Sequence, residues 1–509
     1  MKLKILVVIF LSNAACCFGQ VSLNQLSLDN GKYSVGFQHY IAVDSTRTYK
    51  RMFDWNNKVI PRQIPVSIWY PSADDLSKNA PLATIDYMEI LKEEEEWEHL
   101  PNEQILNWFY YQNTSENQAH LKERSTAYLH ASTTSEKFPT IIYAPSYQAS
   151  SIENFALCEF LASHGYIIIS SPSRGTETRF LEGGTEKDME TQARDLEFLI
   201  KEVGTREDID PNNVATMGFS FGGLSNVLAQ MRNRSIKAIV SLDGSIKYQY
   251  STLQESPFAA VEKVDVPFIH MAQKDIPKDV MIEDDIDTTL NHNFKFYDDL
   301  VYSKAYSLKF HNLTHQYFST LGVLFGKRDQ RQDKSDSKIM ESYKWMALYT
   351  LNFLDAFLKN DREAMNFLNR NPEKNDLPAG LVSIKSKEAN EIEFSFEDFN
   401  EMASEQHYRN LENLYNTILN KHPSFSLEEG KLNNLGLQLV FNPETSDDGI
   451  SILQLATKIY SESANLFDSL AEAYLYVGNT KMAIKNFEKS LALNPQNQNA
   501  INRLEELKK

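Results

Sequence analysis

The chain has 509 residues, of which 42% are hydrophobic, and its 51 Lys and Arg against 69 Asp and Glu give a net charge of −18. The length exceeds that of one ordinary domain, and the composition is that of a globular protein with ample apolar material for a core. Because phosphate backbones are bound through Lys and Arg, the acidic balance argues against a nucleic-acid partner.

The N-terminal residues have the layout of a secretory signal peptide. Two lysines precede an apolar run over residues 5–11, and small residues follow as far as Gly19. The run is too short to cross a bilayer, so we predict no transmembrane segment. We expect residues 1–19 to be removed and the protein to be exported, either to a periplasm or to the medium. Lipid attachment at Cys16 is the less favoured alternative, because Asn13 stands where a lipoprotein signal normally has a large aliphatic residue.

The next segments predict the antiparallel opening of a sheet. Residues 32–45 and 63–70 alternate between apolar and polar side chains, as half-buried strands do. A long insertion over residues 73–137 follows, rich in Glu and in aromatic residues. We interpret it as a helical excursion and a candidate lid over a substrate pocket. Simple packing of the aromatics against the core is the alternative.

From Pro139 onward the pattern changes to alternating strands and helices. Strands are predicted at 140–144, 167–171, 214–217, 238–242, 268–272 and 306–310, and helices at 152–164, 188–203, 223–232 and 338–358. Continuous apolar strands separated by helices require a mostly parallel sheet that is covered on both faces. Ligands of such sheets bind beyond the carboxyl ends of the strands. We therefore assign residues 20–368 to one α/β domain.

The C-terminal part predicts a second, all-α domain. Residues 369–395 are polar and hold two prolines and a glycine, so we interpret them as a linker. Residues 396–509 are helical, and their spacing fits a tetratricopeptide repeat, with Phe467 in the tryptophan position and Gly478 in the turn. The other matching positions are Leu470, Ala471, Tyr474, Ala483, Phe487, Ser490 and Pro495. Such helical repeats suit either a docking surface for a protein partner or a stabilising appendage.

The stretch VATMGFSFGG, residues 214–223, carries the clearest chemical signal. It reads as a short strand, a tight Gly-Phe-Ser-Phe-Gly turn and the start of a helix, which is the layout of a nucleophile elbow in an α/β-hydrolase fold. The turn lifts the hydroxyl of Ser220 clear of the sheet, and small residues at 218 and 222 let strand and helix approach closely. Ser220 is thus the candidate nucleophile.

A serine hydroxyl needs a base, and the base needs an acid, which follow the serine in this fold in the order acid, then histidine. The histidines between Ser220 and the closing helix are His270, His292, His311 and His315. The first falls inside a strand as a core histidine, and the second sits in a polar connection. The base must swing over the strand ends to reach the serine, which favours His315 in its loop, with His311 as the reserve.

Two aspartates compete for the role of the acid. Asp243 directly follows the strand 238–242, and Asp275 follows the next strand. Both strand ends face the same edge of the sheet as Ser220, so topology alone permits either one. For the aspartate that is not used, capping of a loop turn is the ordinary interpretation.

Several of these segments together resemble a known family. Gly218 to Gly223, Leu242-Asp243 and the sequence His-Gln-Tyr-Phe at 315–318 resemble the platelet-activating-factor acetylhydrolases, which are α/β-hydrolases. The stretch LASHGYIIISSPSRG is similar both to that family and to dienelactone-hydrolase-like esterases. The resemblance spans residues 63–358. It implies a triad of Ser220, Asp243 and His315, and favours Asp243 over Asp275, the position that the dienelactone-hydrolase-like relatives would favour.

The oxyanion loop departs from this family pattern. The family usually carries His-Gly after the strand equivalent to 140–144, whereas this chain has Pro145-Ser146-Tyr147. By position, the oxyanion hole would use the N–H of Phe221 and the N–H of Tyr147. Proline lacks an N–H, but this loses nothing if Tyr147 is the donor.

These observations predict an exported serine esterase that acts on a small-molecule or lipid ester through an acyl-enzyme. A carbohydrate-ester deacylase or a peptidase on the same fold is the first alternative. The second is a binding protein whose repeats do the work beside a relic hydrolase domain. No metal and no other cofactor is predicted, because no His or Cys cluster has ligand spacing.

Overall fold

The computed structural model describes residues 21–508, except 53, 57, 75, 77–78, 205, 328–330 and 392–393. It divides into two compact units, Met1–Asn390 and Glu391–Lys509. The signal peptide predicted over residues 1–19, including Cys16, lies outside the described residues. Within the described part of the chain, no helix combines the length and the apolar character needed to span a bilayer.

The first unit is organised around one ten-stranded sheet, counted over its described residues, in the order β10-β9-β8-β7-β6-β4-β5-β2-β1-β3. The strands are β1 (Ser34–Tyr49), β2 (Ile60–Ser72), β3 (Ala127–Leu129), β4 (Phe138–Ala144), β5 (Ile167–Ser170), β6 (Ile209–Phe219), β7 (Ile236–Leu242), β8 (Phe268–Ala272), β9 (Ala305–Phe310) and β10 (Val382–Lys387). The six strands from β5 across to β9 are mutually parallel. Strand β2 is antiparallel to β5 and to β1, as the alternating N-terminal pattern predicts.

Helices cover both faces of this sheet. They are α1 (Thr84–Glu94), α2 (Ile105–Trp108), α3 (Ser115–His120), α4 (Phe155–Ser163), α5 (Glu186–Val203), α6 (Gly222–Arg232), α7 (Tyr250–Glu255), α8 (Lys278–Glu283), α9 (Lys295–Asp299), α10 (Thr320–Phe325), α11 (Asp336–Leu358) and α12 (Arg362–Asn369). Successive residues of β4 point to opposite faces, so Ile141 and Tyr143 join the core under α4 and α11, while Ile142 and Ala144 join the core under α5 and α6. Continuous apolar strands are therefore buried on both sides.

The strand-to-helix turn after β6 contains two close backbone approaches. A Cβ at Gly218 would lie 2.2 Å from the carbonyl oxygen of Gly222, and one at Gly222 would lie 2.1 Å from that of Ala144. Ser220, between them, has a φ of 53°, in the left-handed region. A mostly parallel sheet with helices on both faces and a serine on this turn is the α/β-hydrolase fold, as the sequence predicts.

The insertion 73–137 contains the short helices α1, α2 and α3, but turns and loops make up more of its described residues than helix does. It also adds the short strand β3, which pairs in parallel with β1 at one edge of the sheet. The sequence pattern did not indicate this strand, because three residues are too few to show an alternation.

The segment 369–395 is not simply a linker, and that prediction is wrong over residues 382–387. These residues form β10, which pairs antiparallel with β9 along its full length, and the first compact unit continues to Asn390. The strand reads VSIKSK and lies at a sheet edge, where only one side of the backbone is paired and polar side chains are tolerated. A polar edge strand therefore looks like a loop in sequence.

The second unit is all helical in its described residues. Its helices are α13 (Phe396–Glu405), α14 (Leu411–Lys421), α15 (Glu429–Val440), α16 (Ser446–Ile459), α17 (Ala464–Tyr476), α18 (Thr480–Leu493) and α19 (Gln498–Leu507). Consecutive helices pack on one another, α15 on α16 and α17 on α18 most extensively. A Cβ at Gly436 in α15 would lie 2.6 Å from the side chain of Leu453 in α16, so this pair is closely packed.

The close approach at Gly222 predicts that even one added methyl group is damaging. Gly222→Ala places a Cβ against the backbone of Ala144, and overpacking of this kind costs about 1–3 kcal/mol of folding free energy. Chemical denaturation should show this loss. The control is Gly430→Ala, where an added Cβ has no neighbour within 4 Å. Equal stability of the Gly222→Ala protein and the parent would contradict the packing described here.

Candidate active site

The turn after β6 holds Ser220 at the carboxyl edge of the sheet. Its backbone N–H donates to the carbonyl oxygen of Leu242 at 3.2 Å, and its own carbonyl accepts from the N–H of Gly223 at 2.9 Å and of Ser245 at 2.7 Å. These bonds fix a backbone conformation that is otherwise unfavourable for a residue with a side chain. These bonds therefore hold the backbone of Ser220 in one conformation, which fixes the position from which its hydroxyl projects.

A hydrogen-bonded line joins Ser220, His315 and Asp243. His315 Nε2 lies 2.8 Å from Ser220 Oγ, and His315 Nδ1 lies 2.6 Å from Asp243 Oδ2. Parallel pairing of β6 with β7 sets Phe219 beside Leu242, so the residues that follow each strand emerge side by side. The loop after β9 places the imidazole of His315 over the ends of these strands, where it contacts both Ser220 and Asp243.

Asp243 is fully buried, and its surroundings favour the ionised carboxylate. Burial raises the pKa of Asp243, but the hydrogen bond and charge of His315 and the N–H of Gln273 outweigh it, so the pKa lies below its ordinary value. Oδ1 accepts from the N–H of Gln273 at 3.0 Å and from the hydroxyl of Tyr248 at 3.3 Å. A carboxylate held in this way accepts a hydrogen bond from Nδ1–H and leaves Nε2 facing the serine as an acceptor.

Gln273 contacts both partners of the serine and was missed by the sequence reasoning. Its backbone N–H binds Asp243, while its side-chain oxygen accepts from the backbone N–H of His315 at 3.1 Å. Gln273 follows β8 directly, so its place at the carboxyl edge was the one available signal. A glutamine in a loop carries no chemical signature that would have distinguished it.

The alternative acid Asp275 and the alternative base His311 do not take part in the hydrogen bonds that join Ser220, His315 and Asp243. Asp275 pairs with Lys309 at the surface, with its side chain about half exposed (52%). His311 lies 3.2 Å from Ser383 Oγ, on the side of the edge strand β10. The structure therefore brings together the set that the family resemblance implies, and the alternatives Asp275 and His311 have other partners.

His270 is buried within β8, as the sequence predicts for a core histidine. Its Nδ1 lies 2.9 Å from Ser241 Oγ. Burial lowers the pKa of His270 to about 3, so the ring is neutral in the folded protein near neutral pH. It belongs to the packing beneath the site.

Two backbone N–H groups are the candidate donors to an oxyanion: that of Phe221, directly after Ser220, and that of Tyr147, in the loop after β4. Among the described residues, the N–H groups of Phe221 and Tyr147 donate no hydrogen bond. The rings of these two residues lie 5.9 Å apart, edge to face, and Gly222 packs against Ala144 at the start of the loop that carries Tyr147. The two donors thus belong to segments in direct contact.

A pocket of about 480 Å³ opens at His315. Its lining includes Tyr147 and Glu153 from the oxyanion loop and its continuation, and Leu321 and Gly322 from α10. The insertion supplies the facing wall, with Leu91, Glu95, Phe109, Tyr110 and Tyr111. The volume is within the range of small-molecule sites. No group of three or more His, Cys, Asp or Glu in the described part of the chain is arranged to hold a metal ion.

Comparison with known proteins finds one family model and a number of solved structures that are similar to parts of this chain. The model of the prolyl oligopeptidase family matches residues 154–268, the region that holds both Ser220 and Asp243. The chain is a serine hydrolase. No curated protein matches the sequence. The solved structures that resemble this hydrolase include a ferulic acid esterase from Streptomyces cinnamoneus, 17% identical, with a TM-score of 0.48 over 69% of this chain and 96% of that one.

The different surroundings of the two aspartates predict different effects of the same substitution. Asp243→Asn should lower kcat by about 10⁴, because an amide at this position stabilises the wrong tautomer of the histidine. Asp275→Asn removes only a surface pair and should leave kcat within about twofold of the parent. Steady-state hydrolysis of an activated ester measures both. A large loss in Asp275→Asn with an active Asp243→Asn would reverse the assignment.

Proposed function

We propose that the protein is an exported serine esterase that cleaves carboxylic esters through an acyl-enzyme. The observation that carries the proposal is the hydrogen-bonded line from Ser220 Oγ to His315 Nε2, at 2.8 Å, and on from His315 Nδ1 to Asp243. Export rests on the composition of residues 1–19, which have the layout of a signal peptide.

The line supports a two-stage reaction. His315 takes the proton of Ser220 as the hydroxyl oxygen attacks the ester carbonyl, and the resulting oxyanion is held by the N–H groups of Phe221 and Tyr147. Collapse of this intermediate breaks the bond to the alcohol, which leaves with the proton from the imidazole. Water, activated by the same imidazole, then attacks the acyl group and releases the acid. Asp243 stabilises the imidazolium in both stages.

The walls of the pocket favour an apolar acyl or alcohol group. Phe109, Tyr111 and Leu91 of the insertion and Leu321 of α10 face the cavity that His315 opens into. These lining residues support the proposal that the insertion acts as a lid over the substrate. An acetyl phospholipid of the platelet-activating-factor type is one candidate substrate, on the basis of the family resemblance.

A peptidase is the second candidate, and the match of residues 154–268 to the prolyl oligopeptidase family is the observation that favours it. The same line of side chains would cleave an amide by the same two stages. For the helical unit, the tetratricopeptide-like spacing of α17 and α18 supports docking of a protein partner.

Labelling with a fluorophosphonate probe tests this function. The parent should take up one probe per chain, on Ser220, and Ser220→Ala should take up none. Turnover of p-nitrophenyl acetate, acetylated sugar, acetyl phospholipid and a prolyl peptide amide then separates the candidates, with ester hydrolysis expected to dominate. An unlabelled parent, or a Ser220→Ala protein as active as the parent, would refute the proposal.

A further inference from the structure

The oxyanion loop, residues 145–149, is fixed by a buried carboxylate. Glu153, just before α4, is only 8% exposed. It accepts a hydrogen bond from the backbone N–H of Ser146 at 2.9 Å and a second from the hydroxyl of the same residue. The hydroxyl of Tyr143, at the end of β4, donates a third at 3.3 Å. One carboxylate thus binds the residue directly before Tyr147 at two points.

We propose that Glu153 is the positioning residue of the oxyanion hole. By holding Ser146 through its N–H and its hydroxyl, it sets the plane of the following peptide, whose N–H is that of Tyr147. The inference rests on the proposed function, since an oxyanion forms only if Ser220 attacks a carbonyl group. In this chain the side chain of Glu153 would thus impose the shape of the oxyanion loop, whereas the family that the chain resembles usually carries His-Gly there.

The neighbouring contacts hold the loop from its other sides. The side-chain amide of Gln192 donates to the carbonyl oxygen of Pro145 at 2.9 Å. Gln148 has a φ of 56°, and its side chain bonds to the backbone of Arg179 and of Leu181, at 2.7 and 3.1 Å. The residues on both sides of Tyr147 are therefore anchored. The carbonyl oxygen of the peptide that joins Ser146 to Tyr147 accepts from the backbone N–H of Ala149 at 3.1 Å. Among the described residues, Glu153 is the one whose side chain binds Ser146 directly, through the N–H and the hydroxyl of that residue.

The cost of burying Glu153 indicates that its carboxylate has a task. Burial raises the pKa of Glu153, and the hydrogen bonds of Ser146 and Tyr143 offset this only in part. No Lys or Arg side chain pairs with it among the described residues. Burying a carboxyl group without a cationic partner is unfavourable unless its hydrogen bonds compensate. Glu153 also lines the pocket that His315 lines, so the carboxylate and the candidate base share one cavity.

Steady-state kinetics of three variants, with a trifluoromethyl ketone inhibitor, tests the proposal. The ketone forms a hemiketal oxyanion on Ser220, so its affinity reports the oxyanion hole rather than substrate binding. Glu153→Ala should lower kcat by about 10- to 100-fold and weaken the ketone by a similar factor, with KM within about threefold. Glu153→Gln keeps the size of the side chain and one oxygen that can accept from the N–H of Ser146, while its NH2 group can donate to the hydroxyl of Ser146. It should therefore restore most of both values.

The matched control is Glu159→Ala. Glu159 is another buried carboxylate of the same segment, bonded to Tyr87 at 2.6 Å and to Thr126 at 2.9 Å, and it does not line the pocket at His315. Its removal should lower the melting temperature and leave kcat and ketone affinity unchanged. If Glu153→Ala does not fold, Ser146→Ala, which removes only the hydroxyl bond, should show a smaller loss of the same two quantities.

Two results would overturn the proposal. One is an unchanged kcat in Glu153→Ala, or in Ser146→Ala where that variant is used. The other is a loss of kcat with the ketone affinity of the parent. A parent that the fluorophosphonate labels, together with an unchanged Glu153→Ala, would reject the positioning role alone. A parent without a reactive Ser220 would reject the proposed function itself.

Discussion

The constraint on which the site depends is the contact between β6, the turn after it and α6. Gly218 and Gly222 allow backbone to approach backbone at distances that a Cβ would forbid, and the turn holds Ser220 at a positive φ. This geometry places the serine hydroxyl at the edge of the sheet, next to the end of β7. Every other feature of the site, including the loop that carries His315, is arranged around that fixed position.

The four consecutive glutamates at 93–96 join the insertion to the rest of the hydrolase unit. Glu94 accepts hydrogen bonds from the hydroxyl groups of Ser150 and Ser151, just beyond the oxyanion loop. Glu95 pairs with Arg179, whose carbonyl oxygen binds Gln148, and Glu96 accepts from the hydroxyl of Tyr49 at the end of β1. Through Glu94 and Glu95, the insertion that forms one wall of the pocket is thus bonded to the residues around the oxyanion loop. Such buried polar contacts are directional, so they specify one arrangement.

The sequence predicts the elbow well because its signal is local: a strand, two close-packed glycines and a helix within ten residues. Strand topology alone could not decide between Asp243 and Asp275, since both follow neighbouring strands at one edge and the choice depends on where the loop after β9 places His315. Only the family resemblance favoured Asp243. The strand β10 escaped prediction because only Val382 and Ile384 of its six residues are apolar, which is too few to mark a strand within a polar segment. The clamp of Glu153 on Ser146 escaped because it depends on how a loop folds back, which no spacing in the sequence encodes.

The central claim is that Ser220 carries the acyl group during turnover. Rapid mixing with an activated aryl ester, acid quenching and peptide mapping by mass spectrometry test it most directly. We expect a burst of aryl alcohol that approaches one equivalent per chain, and an acyl adduct on the peptide that contains Ser220. Ester hydrolysis with the adduct on another residue, or with a rate unchanged in Ser220→Ala, would contradict it.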